Sequence, residues 1–268
     1  MSQNLNFQRT SAVLVFTLFL GLFASCGQKS ESQNLASATE QNVLTEEEIA
    51  NGWVLLFDGK TFDGWHGLGR DTFPKEHWVV EDGTMKKVSS DEGPKMPDGQ
   101  PAQGGDIITD ATFDNYEFCF DWKISEGGNS GVKYNVSEEI SVSQEPKTAA
   151  LGWEYQVLDD ERHSDNLNPT HRAGSLYEMI EATNKTLMPV GEWNTSRIII
   201  NGNHGEHWLN GVKVIEYEMD SAEFEALFQK SKYRDIPGFK DKKVGHLVLQ
   251  DHGNTAWYRN LKVRSLNP

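Results

Sequence analysis

The chain has 268 residues, enough for one large domain or two small ones. Forty Asp and Glu against 25 Lys and Arg leave a formal charge of −15, which excludes a surface built to hold nucleic-acid phosphates. Eight Trp and a hydrophobic fraction of 37% exclude disorder over the whole length, and two cysteines exclude a disulfide framework.

Arg9 precedes an apolar run from Ala12 to Ala24, too short to span a bilayer as a helix, and the run ends in Leu22-Phe23-Ala24-Ser25-Cys26. Small residues directly before a cysteine resemble the bacterial lipobox, in which the cysteine is lipidated and becomes the mature N-terminus. Residues 1–25 are therefore expected to be a lipoprotein signal peptide with Cys26 as lipidation site, an ordinary secretory signal being the alternative. This places the globular part at a bacterial cell envelope, exported and lipid-anchored, facing the periplasm or on the outer membrane. Residues 26–43 hold a single Leu and a single Val among polar and small residues, too little apolar surface to order themselves, and read as a flexible tether.

One domain is expected over 44–268. Thr45 followed by Glu48 is a capping box that opens a short helix, and Asn51-Gly52 stops it. From there the periodicity becomes two. In Tyr116-Glu117-Phe118-Cys119-Phe120-Asp121-Trp122-Lys123-Ile124 five apolar residues face one way and Glu, Cys, Asp and Lys the other. Shorter runs at 53–57, 77–81, 131–136, 152–158, 196–201, 206–209, 212–217, 244–250 and 256–264 follow the same rule, separated by turn signals such as Asp82-Gly83 and Gly127-Gly128-Asn129. Asn210-Gly211 between two such runs predicts a hairpin with a type I′ turn. One internal helix is expected from a capping box at Asp220 and Glu223 and the stripe Phe224, Leu227, Phe228, ending before Pro237. Frequent strands without alternating helices predict an all-β fold, a two-sheet antiparallel sandwich with one or two short helices.

Three strands carry polar pairs at i and i+2: Lys133 with Asn135, Glu154 with Gln156, and Gln250 with His252. If these strands are neighbours, a cation, a carboxylate, amides and an imidazole meet on one wall, a set suited to a polyhydroxylated ligand because amides and carboxylates hydrogen-bond adjacent hydroxyls. The alternative is that each pair simply faces water. Trp193, in Gly191-Glu192-Trp193-Asn194, is a candidate face for a sugar ring. His204 and His207 sit three apart in an extended run, which puts them on opposite faces and argues against a shared metal. The loop Asp159-Asp160-Glu161-Arg162-His163-Ser164-Asp165 is rich in oxygen but lacks the spacing and central Gly of a known calcium loop, so a solvated acidic loop is expected. There is no Gly-x-Ser-x-Gly, His-Glu-x-x-His, phosphate-loop or dinucleotide fingerprint, which removes the main support for serine-hydrolase, zincin, nucleotide and dehydrogenase functions.

From about Trp53 to Leu266 the landmarks run in order: Leu55-Leu56-Phe57-Asp58-Gly59-Lys60, Trp78-Val79-Val80-Glu81-Asp82-Gly83, Gly128-Asn129-Ser130-Gly131, Gly152-Trp153-Glu154-Tyr155-Gln156-Val157-Leu158-Asp159, Ser175-Leu176-Tyr177, Gly191-Glu192-Trp193-Asn194, Asn210-Gly211, Gln250-Asp251-His252-Gly253 and Arg259-Asn260. In this order they resemble the 3-keto-disaccharide hydrolase domain family, and the stretch from Leu158 to Tyr177 resembles a subgroup with an extended loop over the groove. The resemblance implies a concanavalin-like jelly-roll and cleavage of glycosides already oxidised at C3 by a separate sugar dehydrogenase, the functional partner. Mapping the chemistry of such a cleavage onto the matching motif positions makes His252, Glu154 and Lys133 the expected catalytic residues: His252 as base, Glu154 as competing base or orienting group, Lys133 or Arg259 stabilising enolate charge. Gln156, Gln250, Tyr177, Arg259, Asn135 and Trp193 would bind substrate. No cofactor is implied with certainty; a divalent cation held by groove carboxylates and His is the alternative to their acid–base use. A non-catalytic carbohydrate-binding module tethered to the envelope is the competing function.

Overall fold

The computed structural model describes residues 40–97, 104–241 and 244–267. The signal peptide expected over 1–25, Cys26 and most of the segment to 43 lie outside the described residues. Thr45 caps the first helix, α1 (Glu46–Ala50), in the reciprocal box expected, and Gly52 follows with positive φ. The domain starts slightly earlier than 44. The main-chain N–H of Asn42 donates to Asn260 Oδ1, the N–H of Asn260 donates to Asn42 Oδ1, and the Asn42 amide donates to the Gly83 carbonyl.

Thirteen described strands form two antiparallel sheets. The larger holds β1 (Trp53–Leu55), β3 (Trp78–Glu81), β4 (Thr84–Lys87), β6 (Tyr116–Ile124), β9 (Asn194–Asn201), β10 (His204–Leu209), β11 (Val212–Glu218) and β13 (Ala256–Ser265). Its order is β11-β10-β9-β6-β13-β4-β3, with β1 on the far half of β13. The smaller holds β2 (Trp65–Gly67), β5 (Ile107–Thr109), β7 (Asn129–Val136), β8 (Trp153–Leu158) and β12 (His246–Leu249), in the order β2-β5-β12-β7-β8. The core lies where the inner faces meet. Phe118, Phe120 and Trp122 of β6 face Val132 and Tyr134 of β7 and Tyr155 of β8, with Phe120 and Tyr155 edge to face at 5.4 Å.

Two short helices follow, α2 (Glu138–Val142) and α3 (Ala222–Phe228). The cap of α3 is Ser221, whose hydroxyl accepts from the Phe224 N–H, and not Asp220; both residues are competent caps, and the chain enters the helix one residue later. Phe224 and Phe228 pack edge-on against Trp153 at 5.2 and 6.1 Å, with Phe239 at 4.8 Å, so the segment after β11 closes over the start of β8. Asn210 and Gly211 both have positive φ, as a type I′ turn requires. Strands β2, β4 and β5, of three or four residues each, are absent from the sequence expectation.

Candidate functional site

Strands β12, β7 and β8 are neighbours, so Lys133, Glu154 and Gln156 come together, with Gln250 just past the end of β12. Lys133 pairs directly with Glu154, Gly131 with Gln156, and the Gln250 N–H donates to the Gly131 carbonyl. Because Val132, Tyr134, Trp153, Tyr155 and Val157 face the core, Lys133, Glu154 and Gln156 point out of the sandwich. They do not face water: Lys133 is 6% exposed, Glu154 5% and Gln156 1%, which removes the solvated-face alternative for these three, though not for His252. The end of the loop from Asp159 to Tyr177 runs along the edge of β8, where the Gln156 N–H donates to the Ser175 carbonyl and the Gly174 N–H to the Gln156 carbonyl.

Asn135 is not on this wall. Between His246–Val136 and Val248–Lys133 the register slips, so β7 carries one extra residue opposite β12. Asn135 has positive φ there, and its Oδ1 accepts from the Tyr116 hydroxyl in the core at 3.1 Å. Alternation breaks at a bulge, which no count of two can foresee.

Arg259 and Trp193 also lie elsewhere. Arg259 pairs in register with Asp121 and donates to its Oδ2 at 3.3 Å, while its neighbour Tyr258 is buried in the core. It therefore faces outward from the larger sheet, on the opposite side of the sandwich. Trp193 covers the Arg259 guanidinium at 4.0 Å. Neither meets the groove residues.

Lys133 is tied down. Its ammonium donates to Asp106 Oδ2 at 3.2 Å and to the Ala150 carbonyl at 2.9 Å. Burial opposes its charge, but Asp106 and Glu154 outweigh that and hold its pKa above the ordinary lysine value. Asp106 also accepts from the N–H groups of Ala150 and Asp251. The Asp251 carboxylate in turn pairs with Lys87, fully buried on β4, at 2.9 Å. Two buried lysines are thus matched by two buried aspartates. Glu154 is a further buried carboxylate beyond those pairs, and burial raises its pKa despite Lys133 and Lys232.

His252 stands exposed at the rim, on a turn that Asp251 closes by accepting from the Gly253 N–H. The packed side of its ring has lost water, and His163 and Lys133 add positive charge nearby, so its pKa is lowered and the neutral imidazole favoured. The His163 and His252 rings stand edge to face at 6.3 Å. Beside His252 a cavity of 300 Å³ opens between Ser90, Gly104, Asp106, Thr148 and Asp251. A larger hollow of 410 Å³ next to Trp122, Asp160 and Met188 contains none of the groove residues.

Tyr177 borders Glu154, its N–H donating to the Glu154 carbonyl oxygen. Its ring stacks on His171 at 4.2 Å and carries the Lys232 ammonium at 4.3 Å, while its hydroxyl donates to Asp165 Oδ2 at 3.4 Å. Burial, with Asp165 and Glu154, raises the phenol pKa, so it stays a donor. The amides are the unusual feature. Both polar atoms of the Gln156 side chain, and Oε1 of Gln250, are buried without a hydrogen-bond partner among the described residues. Each orphan costs about 1–3 kcal/mol in the absence of a ligand.

Asp106, Lys87, His171 and Lys232 were not legible as neighbours of these residues, since distant parts of the chain bring them together. The acidic loop signalled part of the site. Asp159 Oδ1 accepts from the N–H groups of Glu161 and Arg162, Asp159 Oδ2 from Gly127, and Asp160 pairs with Lys185 at 2.7 Å, so these carboxylates build the loop that delivers His163 and Asp165. His207 is buried between Tyr134 and the Gly174 carbonyl, its pKa pushed down to about 4 by burial, and it shares no ligand position with His204.

The family described as 3-keto-alpha-glucoside-1,2-lyase-like domain matches residues 52–264. A protein of Bacteroides thetaiotaomicron named 3-keto-disaccharide hydrolase is 31% identical over 95% of this chain and 98% of its own length. A solved protein of Parabacteroides distasonis, provisionally described as a glycosyl hydrolase, is 32% identical with a TM-score of 0.72, covering 85% of this chain and 100% of its own. Another from the same species, described in the same way, is 25% identical with a TM-score of 0.58, covering 80% and 99%.

Proposed function

The chain belongs to the 3-keto-alpha-glucoside-1,2-lyase-like family, and we propose that it cleaves the glycosidic bond of 3-keto-glycosides by ketone-assisted elimination. The single observation that carries the site is the buried Gln156 amide with neither atom partnered, an arrangement that a hydroxylated ligand completes. In a 3-keto sugar the C2 proton is acidic and the C1 substituent lies β to the carbonyl. Neutral His252 takes the C2 proton, the freed pair becomes the C1–C2 double bond, and the C1–O bond breaks. The leaving oxygen takes its proton from Glu154.

Charge count supports Glu154 as the acid in this reading, in place of the competing base. Lys87 and Lys133 are already matched by Asp251 and Asp106, so an ionised Glu154 would add an excess buried negative charge. For the same reason Lys133 acts on the enolate as a fixed positive pole and not as a free donor. Gln156, Gln250 and Tyr177 hold hydroxyls. Water adding to the enone, here or on another protein, completes a net hydrolysis. The substrate would come from a sugar C3-dehydrogenase. In this reading the protein works at the bacterial envelope, anchored through Cys26, on the strength of the sequence motif.

The test is to incubate the purified protein with a 3-keto glucoside and with its unoxidised parent, with and without EDTA, in D2O. Aglycone release from the keto compound alone, with deuterium at C2 of recovered substrate or product, is expected. Release from both compounds would refute ketone dependence. Binding of both without release would assign the chain as a carbohydrate-binding module, and loss of release in EDTA would place a cation in the groove.

A further inference from the structure

Away from the groove, the outward face of the β10–β11 hairpin gathers four ligand-bearing side chains at the corners of one patch. His204 and Glu206 are at i and i+2 on β10, and in register across from them are Glu218 and Glu216. Two carboxylates directly opposite each other, Glu206 and Glu216, repel and are destabilising in a sheet unless a cation lies between them.

Distances make this more than an acidic patch. His204 Nε2 is 3.2 Å from Glu206 Oε1 and 3.7 Å from Glu216 Oε1, and the ligand atoms of these three residues all lie within 4.8 Å of one another. Ligand atoms at about 2.0–2.2 Å from a tetrahedral zinc stand about 3.4 Å apart. The outer shell is also present. His204 Nδ1 is bonded to Glu218 at 2.6 Å, the carboxylate–histidine arrangement that orients a metal ligand, while Nε2 faces the two carboxylates and is bonded to Glu206 Oε1 at 3.2 Å, where a metal ion would take the place of the proton. Glu206 Oε2 accepts from the Trp208 indole at 2.6 Å, and Trp208 is itself covered by the Arg197 guanidinium at 4.0 Å. Glu206 Oε1 is thereby turned toward His204.

We propose that this hairpin binds one Zn²⁺ through His204 Nε2, Glu206 Oε1 and Glu216 Oε1, with a fourth position open to water. One imidazole with carboxylates suits zinc, whereas Mg²⁺ prefers oxygens and its own waters. Lys213 is the cation that holds the place, its ammonium 2.7 Å from Glu216 Oε2 and 3.3 Å from Glu206 Oε1. Zinc displaces it outward and joins the two strands at the free edge of the larger sheet. This site is independent of the cleavage reaction.

The test titrates the EDTA-stripped, dialysed full chain with ZnCl2 and with MgCl2 by calorimetry. One Zn²⁺ per chain and no Mg²⁺ heat is expected. His204→Ala and Glu206→Gln, each checked for native circular dichroism, should weaken zinc at least about tenfold. Lys213→Met should tighten it, because the competing ammonium is gone. Absence of zinc binding, undiminished affinity in His204→Ala, or no tightening in Lys213→Met overturns the site. Zinc that survives His204→Ala but is lost in His163→Ala sits in the groove and equally overturns it.

Discussion

The two outer faces of the sandwich carry the same kinds of residue in the same alternation, and they differ in how those residues are partnered. On the larger sheet Glu117 receives Arg197 and Arg264, Asp121 receives Arg259, and cations lie over Trp53, Trp193, Trp208 and Trp257. Those groups complete one another. On the smaller sheet Lys133 and Asp106 are matched, but Glu154 is a surplus carboxylate and the Gln156 amide is unpaired, all nearly out of contact with water. The first face is paired within itself, whereas the second holds buried polar groups without partners, which under the proposed function a ligand would complete.

That contrast is broken most severely by removing the proposed acid or base. Glu154→Gln and His252→Ala are each expected to lower kcat/KM on a 3-keto glucoside by about 10²–10⁴. Their pH profiles separate the roles. His252 must be neutral, so activity falls as pH drops through its lowered pKa; Glu154 must be protonated, so activity falls as pH rises through its raised one. The wild type should show a bell-shaped profile, its acid side set by His252 and its alkaline side by Glu154. Glu154→Gln should lose the alkaline limb and His252→Ala the acidic one; an unchanged limb in either variant reverses that assignment.

Gly131→Ala comes next. A Cβ at residue 131 would lie 2.2 Å from Glu154 Oε1, so the carboxyl must move. Displacement of a reacting group by about 1 Å costs about 10²-fold in rate, and kinetics paired with thermal melting should show activity falling much further than stability. Equal loss of both would make Gly131 a packing residue only.

Gln156→Leu sharpens the comparison in the opposite direction. Replacing an unpartnered buried amide with an apolar side chain of similar size should leave the melting temperature unchanged or raised, while KM rises by about tenfold. A lower melting temperature would mean that the amide is satisfied in the free protein. The smallest effect is expected at Arg259→Ala. Its ion pair with Asp121 is mostly shielded, the side chains being 19% and 13% exposed, and loss of about 1–3 kcal/mol of stability, read by urea unfolding, should accompany kcat/KM within about twofold of wild type. A large drop in turnover would return Arg259 to the site.

Much of the architecture was readable in local residues because local physics decides it. The Thr45–Glu48 box, the Asn210-Gly211 turn and the long alternation of β6 each involve groups a few residues apart, and all three stand as expected. Ser221 replaces Asp220 as a cap because two neighbouring residues satisfy the same rule. Asn135 fails for a different reason: its side is set by a bulge against β12, more than a hundred residues away.

Sequence alone determined the all-β class, the outward set Lys133, Glu154 and Gln156, and, through the order of its motifs, the resemblance to a glycoside-cleaving family. Only tertiary structure decided which polar faces are buried, that Asp106 and Asp251 neutralise Lys133 and Lys87, and that Arg259 and Trp193 lie on the far side of the sandwich. Alternation records which way a side chain points relative to its neighbours. Burial and charge balance depend on which distant chain covers it.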